Sequence, residues 1–260
     1  MSAEVAQNID KKQVISAVKA LQKYHAKAKA EGKAALLEDE DDGVFVSFTL
    51  TSVPTNPSPR PQLITLDSPF TTKEHNSRFC VFVKDPAREF KDQIQDLDIP
   101  CVAKVIGYDK LKRNFHQYKD KRALLKEYDG FLADLRVYKM LPELLGKEFY
   151  SRKKYPCPIK VHGFENTSEL EAQLNKATSA SQFMLGNGPN YSVKAGMTFQ
   201  KATQVADNIL QGMGQALAYA TVHDDIEFNQ VAQVTVRAGK SPELPVYNFF
   251  SEQDLKAYST

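Results

Sequence analysis

The sequence predicts a mixed α/β and α+β protein: a discontinuous α+β domain, about residues 1–74 plus 162–260, with an α/β domain inserted at about 75–161. Three observations predict it. Segments of strict apolar/polar alternation lie towards both ends of the chain, at Val44 to Val53, Tyr191 to Met197 and Val231 to Arg237; that period of two marks strands with one face buried and one wet. Between them, continuous apolar runs alternate with helical stretches, the rhythm of a mostly parallel sheet covered on both sides. Finally, the residues near Thr72 and His162, where the two patterns meet, read as a two-stranded hinge.

Taken in order, Asp10 to Ala30 is predicted as the first helix. Val14, Val18, Leu21 and His25 recur at helical spacing, Asp10 is the N-cap, and Gly32 lies just past the end. The acidic run Glu38 to Asp42 forms a loop. In the first strand Val44, Val46, Phe48 and Leu50 face one way, and Ser47, Thr49 and Thr51 the other. Pro54, Pro57, Pro59 and Pro61 exclude a helix and predict a stiff connector before a short strand at Leu63 to Leu66.

In the insert, Phe79–Val83, Cys101–Ile106 and Gly130–Ala133 are the predicted strands. Asp85 and Pro86 start the helix between the first two, with Phe90, Ile94 and Leu97 on its inner side. Lys119–Tyr128 and Leu141–Phe149 are the next helices. Returning to the discontinuous domain, Thr167–Leu185 is predicted helical and is stopped by Gly186, Asn187, Gly188 and Pro189; Ala202–Ala220 is amphipathic through Val205, Ile209, Met213 and Leu217.

The balance of 34 basic against 32 acidic residues gives a net charge of +2, so any nucleic-acid signal lies in the distribution of charge and not in its total. Base is concentrated at Lys104–Lys126 and Lys147–Lys160. Cys80, Cys101 and Cys157 are an odd set without CxxC spacing, which reads as reduced core thiols in an intracellular compartment. No apolar run approaches the ~18 residues of a membrane span, and MSAEVAQNIDKK has no secretory apolar core.

Chemistry is sparsely marked. His25, His75, His116, His162 and His223 are scattered and form no ligand pattern. No GxSxG is present, and Gly186-Asn187-Gly188 ends a helix where a phosphate loop would open one. After Val83, where a Rossmann enzyme needs glycines, the chain has Lys84, Asp85 and Pro86. These features predict no catalysis, no metal, no cofactor and no small-molecule substrate.

Two basic stretches remain. Asp109–Lys126 mixes seven Lys/Arg with Phe115, His116 and Tyr118, and Ser151–Pro156 holds Arg152, Lys153 and Lys154. A solvated surface fits each of them; so does a phosphate-contacting patch with aromatics for stacking. The polar sheet face predicted for the discontinuous domain, with Ser47, Thr49, Thr51, Ser192, Lys194, Gln233, Thr235 and Arg237, suits hydrogen bonding to phosphates and 2′-hydroxyls. A plain solvent-exposed face carries the same pattern.

The string KEYDGFLADLRVYKMLPELLGKEFYSRKKYP (Lys126 to Pro156), with LITLDSPF (Leu63 to Phe70) ahead of FCVFVKDP (Phe79 to Pro86) and with VTVRAGKSPELPVYNF (Val234 to Phe249), resembles the eukaryotic nucleolar relatives of ribosomal protein L-one (L1). The likeness spans nearly the whole chain. It implies a two-domain ribosomal L-one-like fold: a discontinuous α+β domain holding the main RNA site, and an inserted Rossmann-like α/β domain. Helices then pack on one sheet face and RNA docks beside the other. Ribosomal members carry a Ser/Thr-Thr-Met-Gly-Pro-like turn after the last strand, where this chain has Arg237, Ala238, Gly239, Lys240 and Ser241; their Leu-Pro-His-Gly turn is replaced by Leu66, Asp67, Ser68 and Pro69. Both departures point away from a large-subunit ribosomal protein proper.

The resemblance implies a non-enzymatic, precursor-rRNA-binding assembly factor of a nucleolar or nuclear preribosomal particle, partnered by other assembly factors and by no membrane. A scaffold with the same fold and no RNA contact is the alternative. The RNA-binding candidates are Thr49, Thr51, Arg60, Lys112, Arg113, Arg152, Lys153, Lys154, Lys194, Arg237, Lys240 and Ser241.

Overall fold

The computed structural model describes residues 9–30, 43–70, 77–97, 99, 101–151, 154–161, 167–224, 226–239 and 241–249. Along the chain run α1 (Lys11–Ala30), β1 (Gly43–Leu50), β2 (Ser58–Ile64), β3 (Phe79–Val83), α2 (Ala87–Leu97), β4 (Val102–Gly107), α3 (Tyr108–Asn114), α4 (Tyr118–Glu127) and β5 (Gly130–Asp134). There follow α5 (Leu135–Tyr138), α6 (Leu141–Leu145), α7 (Lys147–Ser151), β6 (Cys157–Ile159), α8 (Thr167–Ser179), β7 (Ser181–Leu185), β8 (Asn190–Met197), α9 (Ala202–Asp224), β9 (Val231–Ala238) and β10 (Leu244–Asn248). They form two compact units, residues 1–70 with 181–260, and residues 71–180.

The first unit is built on an antiparallel sheet of order β10-β9-β1-β8. Its inner face follows from alternation. Val44, Val46, Phe48 and Leu50 are buried while the residues between them are half-exposed. The ladder registers Val46 against Val236 and Val193, and Phe48 against Val234 and Tyr191, so the apolar residues of three strands line up in rows. Helices α1 and α9 seal these rows through Val14, Val18 and Leu21 and through Val205, Ile209, Met213 and Leu217. Each such side chain taken fully out of water contributes about 1.5–3 kcal/mol. Asp10 starts α1 by accepting from the Lys12 amide at 2.9 Å. The acidic run Glu38–Asp42 lies outside the described residues, as do Thr72 and His162 of the expected hinge.

Two local expectations change here. The predicted helix Thr167–Leu185 stops at Ser179, because Ser181, Phe183 and Leu185 are buried at a period of two and pair as β7 with β2. The proline segment is not only a connector: β2 begins at Ser58, and the break in its register between Ser58 and Gln62 accommodates Pro59 and Pro61, which cannot donate to a ladder.

A row of amide side chains on α9 holds the segment that leaves β2. The Thr65 amide donates to Gln215 Oε1 at 3.1 Å, and Gln215 Nε2 donates to the Thr65 carbonyl at 2.7 Å. One turn back, Gln211 Oε1 accepts from the Asp67 amide at 2.9 Å. Asn208, fully buried, accepts from the Ser68 amide and donates to the carbonyls of Ser68 (2.7 Å) and Ala195 (2.9 Å). Positions 208, 211 and 215 share one helix face, so α9 supplies the hydrogen bonds that a neighbouring strand would otherwise give this backbone.

The second unit is a parallel sheet of order β4-β3-β5-β6. Every residue of β3 is buried, the pattern of a central strand covered on both faces. In its core Phe82 stacks on Phe131 with ring centroids 5.7 Å apart, and Phe149 meets Phe131 edge to face at 4.9 Å. At Gly130 a Cβ would meet the Phe79 ring at 2.3 Å, so a side chain there forces the ring aside. The predicted helix Leu141–Phe149 divides into α6 and α7 at Gly146, whose φ of 65° only glycine adopts easily. Asp85, expected to cap α2, turns its carboxylate to the Asp109 amide at 2.7 Å, at the start of α3.

The expected end of the insert at 161 also moves. Helix α8 packs on β6 and buries Leu170, Leu174 and Ala177, so the compact unit runs to Ala180.

Replacing Asn208 by Leu should lower stability by about 3 kcal/mol in urea denaturation, because the Ser68 amide and two carbonyls lose buried partners. Burial pushes the thiols of Cys80 and Cys157 up from 9.0 to about 12. Their folded values lie above the unfolded one, so this stabilisation is complete below about pH 9 and is lost as pH rises towards 12. Native protein at pH 8 should leave both thiols unreacted with an aromatic disulfide, and denaturant should release them.

Candidate nucleic-acid interface

Because one face of the four-stranded sheet is sealed by helices, the alternating residues all emerge on the other. Cross-strand register arranges them in rows. Ser47 lies between Thr235 and Ser192, and Thr49 between Gln233 and Asn190. The third row is Arg237, Phe45 and Lys194. Phe45, Ser47, Thr49, Ser192, Lys194, Gln233, Thr235 and Arg237 are all half-buried, and Asn190 is exposed.

The third row has the most pronounced chemistry. The Arg237 guanidinium lies 5.2 Å from the centroid of the Phe45 ring, and the Lys194 ammonium 5.1 Å from that of Phe70. Both are cation–π distances. Phe70 is itself buried, and the segment before it is fixed by Asn208 and by Gln200, whose Nε2 donates to the carbonyls of Ser68 and Pro69 at 3.4 Å each. Gln22 on α1 donates to the carbonyls of Thr198 and Gln200, which fixes the turn after β8. A polar framework thus holds the segment that leads into the Lys194–Phe70 contact.

Phe45 is the residue that sequence reasoning passed over. Its signal was present: it shares the odd-numbered positions of Ser47 and Thr49 and is apolar where they are polar. Glu243 was also missed. Its carboxylate accepts from Thr235 Oγ1 at 3.0 Å and lies 3.9 Å from Arg237 Nε, which has no hydrogen-bond partner among the described residues. The Arg237 charge is thus partly offset on its own face.

The remaining predicted residues are dispersed. Thr49 Oγ1 donates to Asn190 Oδ1 at 2.8 Å, and Thr51 is exposed just past the end of β1. Ser241 closes the turn after β9: its hydroxyl accepts from the Ala238 amide and donates to the Pro242 carbonyl. Gly239 in that turn has φ 53°, and its amide donates to the Gly43 carbonyl. Arg60 is exposed, but on the separate β2–β7 ribbon.

In the second unit Lys112 and Arg113 are exposed in the last turn of α3. Lys154 is not the exposed cation that its sequence context suggested. Its ammonium donates to the carbonyls of Leu125 (3.1 Å) and Tyr128 (3.3 Å), closing the C-terminal end of α4, where positive charge meets the helix dipole. Arg152, Lys153 and Lys240 lie outside the described residues. Among the described residues no three His, Cys, Asp or Glu side chains converge as metal ligands, and no helix is long and apolar enough to cross a membrane.

A sequence model of the Ribosomal protein L1p/L10e family matches residues 12–242. The chain is 31% identical over 253 residues to a Schizosaccharomyces pombe protein, C8F11.04, whose name places it in ribosome biogenesis; the match covers 92% of this chain and 66% of that protein. It is 22% identical over 260 residues to Ribosomal L1 domain-containing protein 1 of Mus musculus, covering 96% and 54%. To the ribosome biogenesis protein UTP30 of Saccharomyces cerevisiae it is 23% identical over 238 residues, covering 84% and 85%. The chain thus spans 66% and 54% of the first two relatives' lengths.

Replacing Lys154 by Met should cost about 1–2 kcal/mol of stability through the uncapped carbonyls of α4, measured by thermal melting.

Proposed function

The chain belongs to the Ribosomal protein L1p/L10e family, and from that premise we propose that it is a non-catalytic, precursor-rRNA-binding factor that works in ribosome biogenesis, in preribosomal particles of the nucleolus or nucleus. RNA lies on the open face of the β10-β9-β1-β8 sheet. The observation that carries this reading is the row Arg237, Phe45 and Lys194, flanked by the hydroxyls and amides of Thr49, Ser47, Thr235 and Gln233. Cations supply the salt-dependent phosphate attraction. Phe45 offers an apolar platform for an unstacked base or a ribose, and the short polar side chains suit 2′-hydroxyls. The relatives named for ribosome biogenesis support the process, and other assembly factors are the natural neighbours within such a particle.

A scaffold that meets protein instead of RNA is the second reading. Glu243 favours it, since its carboxylate sits beside Arg237 and Thr235 on the same face.

Binding of a precursor-rRNA transcript by the full chain, followed by fluorescence anisotropy at several salt concentrations, tests the proposal. Phe45→Leu should weaken binding about tenfold, the loss of one stacking contact. Arg237→Ala together with Lys240→Ala should flatten the slope of log K against log salt by about 1.4–1.8, at roughly 0.7–0.9 per phosphate contact. Unchanged affinity and slope in both variants would sink the sheet face as an RNA site and leave the scaffold reading standing.

A further inference from the structure

We propose that α3 and α4 of the second unit form a separate surface for single-stranded RNA, with cations contacting phosphates and Tyr118 stacking on a base. This goes beyond the sheet-face reading and does not depend on it, since the residues involved belong to the other compact unit.

The charge distribution is the first support. Residues 110–126 contain seven Lys/Arg and one acid, Asp120, in a chain whose net charge is only +2. The structure then turns nearly all of these cations outward. Helix α3 buries Leu111, and Lys110, Lys112 and Arg113 are exposed around it. Helix α4 buries Leu124 and Leu125 and exposes Lys119, Arg122 and Lys126. Tyr118, Arg122 and Lys126 are spaced four apart and so share one stripe of the helix. The acids beside them offset part of this charge: Glu148 pairs with Arg122 at 3.0 Å, and Asp109 is exposed on α3 beside Lys112 and Arg113.

The second support is aromatic. Tyr118, the first residue of α4, is 65% exposed, the largest exposure of any aromatic side chain among the described residues. Lys121 places its ammonium 5.7 Å from the Tyr118 ring centroid, so a cation accompanies the ring. Phe115, half-buried, and His116, exposed, lie in the link between the helices. A lone exposed tyrosine needs no explanation. One set among six outward cations has the composition of a single-strand site, where a charged groove follows the backbone and an aromatic takes a base. Duplex RNA keeps its bases stacked away from such a ring.

The test uses the full chain, a labelled oligouridine and anisotropy at several salt concentrations. Tyr118→Ala should weaken binding about tenfold. Lys112→Ala with Arg113→Ala should reduce the salt slope by about 1.4, at roughly 0.7 per phosphate on a single strand. Thermal melting should be unchanged in both, because the side chains are exposed. Both effects should persist in a Phe45→Leu background. A silent Phe45→Leu beside an active Tyr118→Ala would remove the sheet-face reading and keep this one. Oligouridine affinity unmoved by Tyr118→Ala overturns the proposal, whether or not the Lys112/Arg113 variant has an effect. So does loss of copurifying preribosomal proteins with RNA binding intact, which would assign the surface to a protein partner.

Discussion

A sheet that buries one face commits every second residue of its strands to the opposite side. In the first unit that constraint governs the rest. Val46, Val193 and Val236 align under α1 and α9, and a one-residue slip of any strand would drive its valines into water and its polar residues into the core. The same registry that packs the core therefore sets Ser47 beside Thr235 and Phe45 beside Arg237. Core packing and the candidate interface are two sides of one pairing, and neither can shift alone.

What the sheet cannot do for itself is support the irregular backbone beside it. The segment from Thr65 to Pro69 leaves its strand with its peptide groups unpaired, and such groups are costly to bury. Amides on α9 and in the turn after β8 take up those groups one by one, through Gln215, Gln211, Asn208 and Gln200. Phe70 follows directly and meets Lys194. Those hydrogen bonds thus fix the segment that leads into the Phe70–Lys194 contact.

The parallel sheet of the second unit obeys the other limit. With both faces covered, its central strand β3 is apolar throughout, and the one charged residue of β5, Asp134, is buried at the strand's end against Arg136. Charge is carried by the crossover helices, where α3 and α4 each bury one or two leucines and expose most of their lysines and arginines, with Asp109 and Glu127 among them. The two sheets differ accordingly: the half-buried one presents an ordered face, and the doubly covered one presents only its helices.

Period and composition were enough to determine β1, β3, β4, β5, β8 and β9 and most of the core residues they carry, because burial leaves a direct mark on the order of apolar and polar residues. The alternation of Val44 to Leu50 and the unbroken run of Phe79 to Val83 are such marks. Thr167–Leu185 was misread because a helix and a short strand follow each other without a breaker, and apolar residues every second or fourth position look alike over five residues. Lys154 in a basic string looked like solvent-facing charge, yet its partners are carbonyls more than twenty-five positions earlier. The amides of α9 on the Thr65–Ser68 backbone and the neighbourhood of Phe45 are of the same kind. Local order states which side of an element a residue occupies; only the folded chain decides what stands opposite it, because those partners are brought together by pairing between segments that the sequence holds far apart.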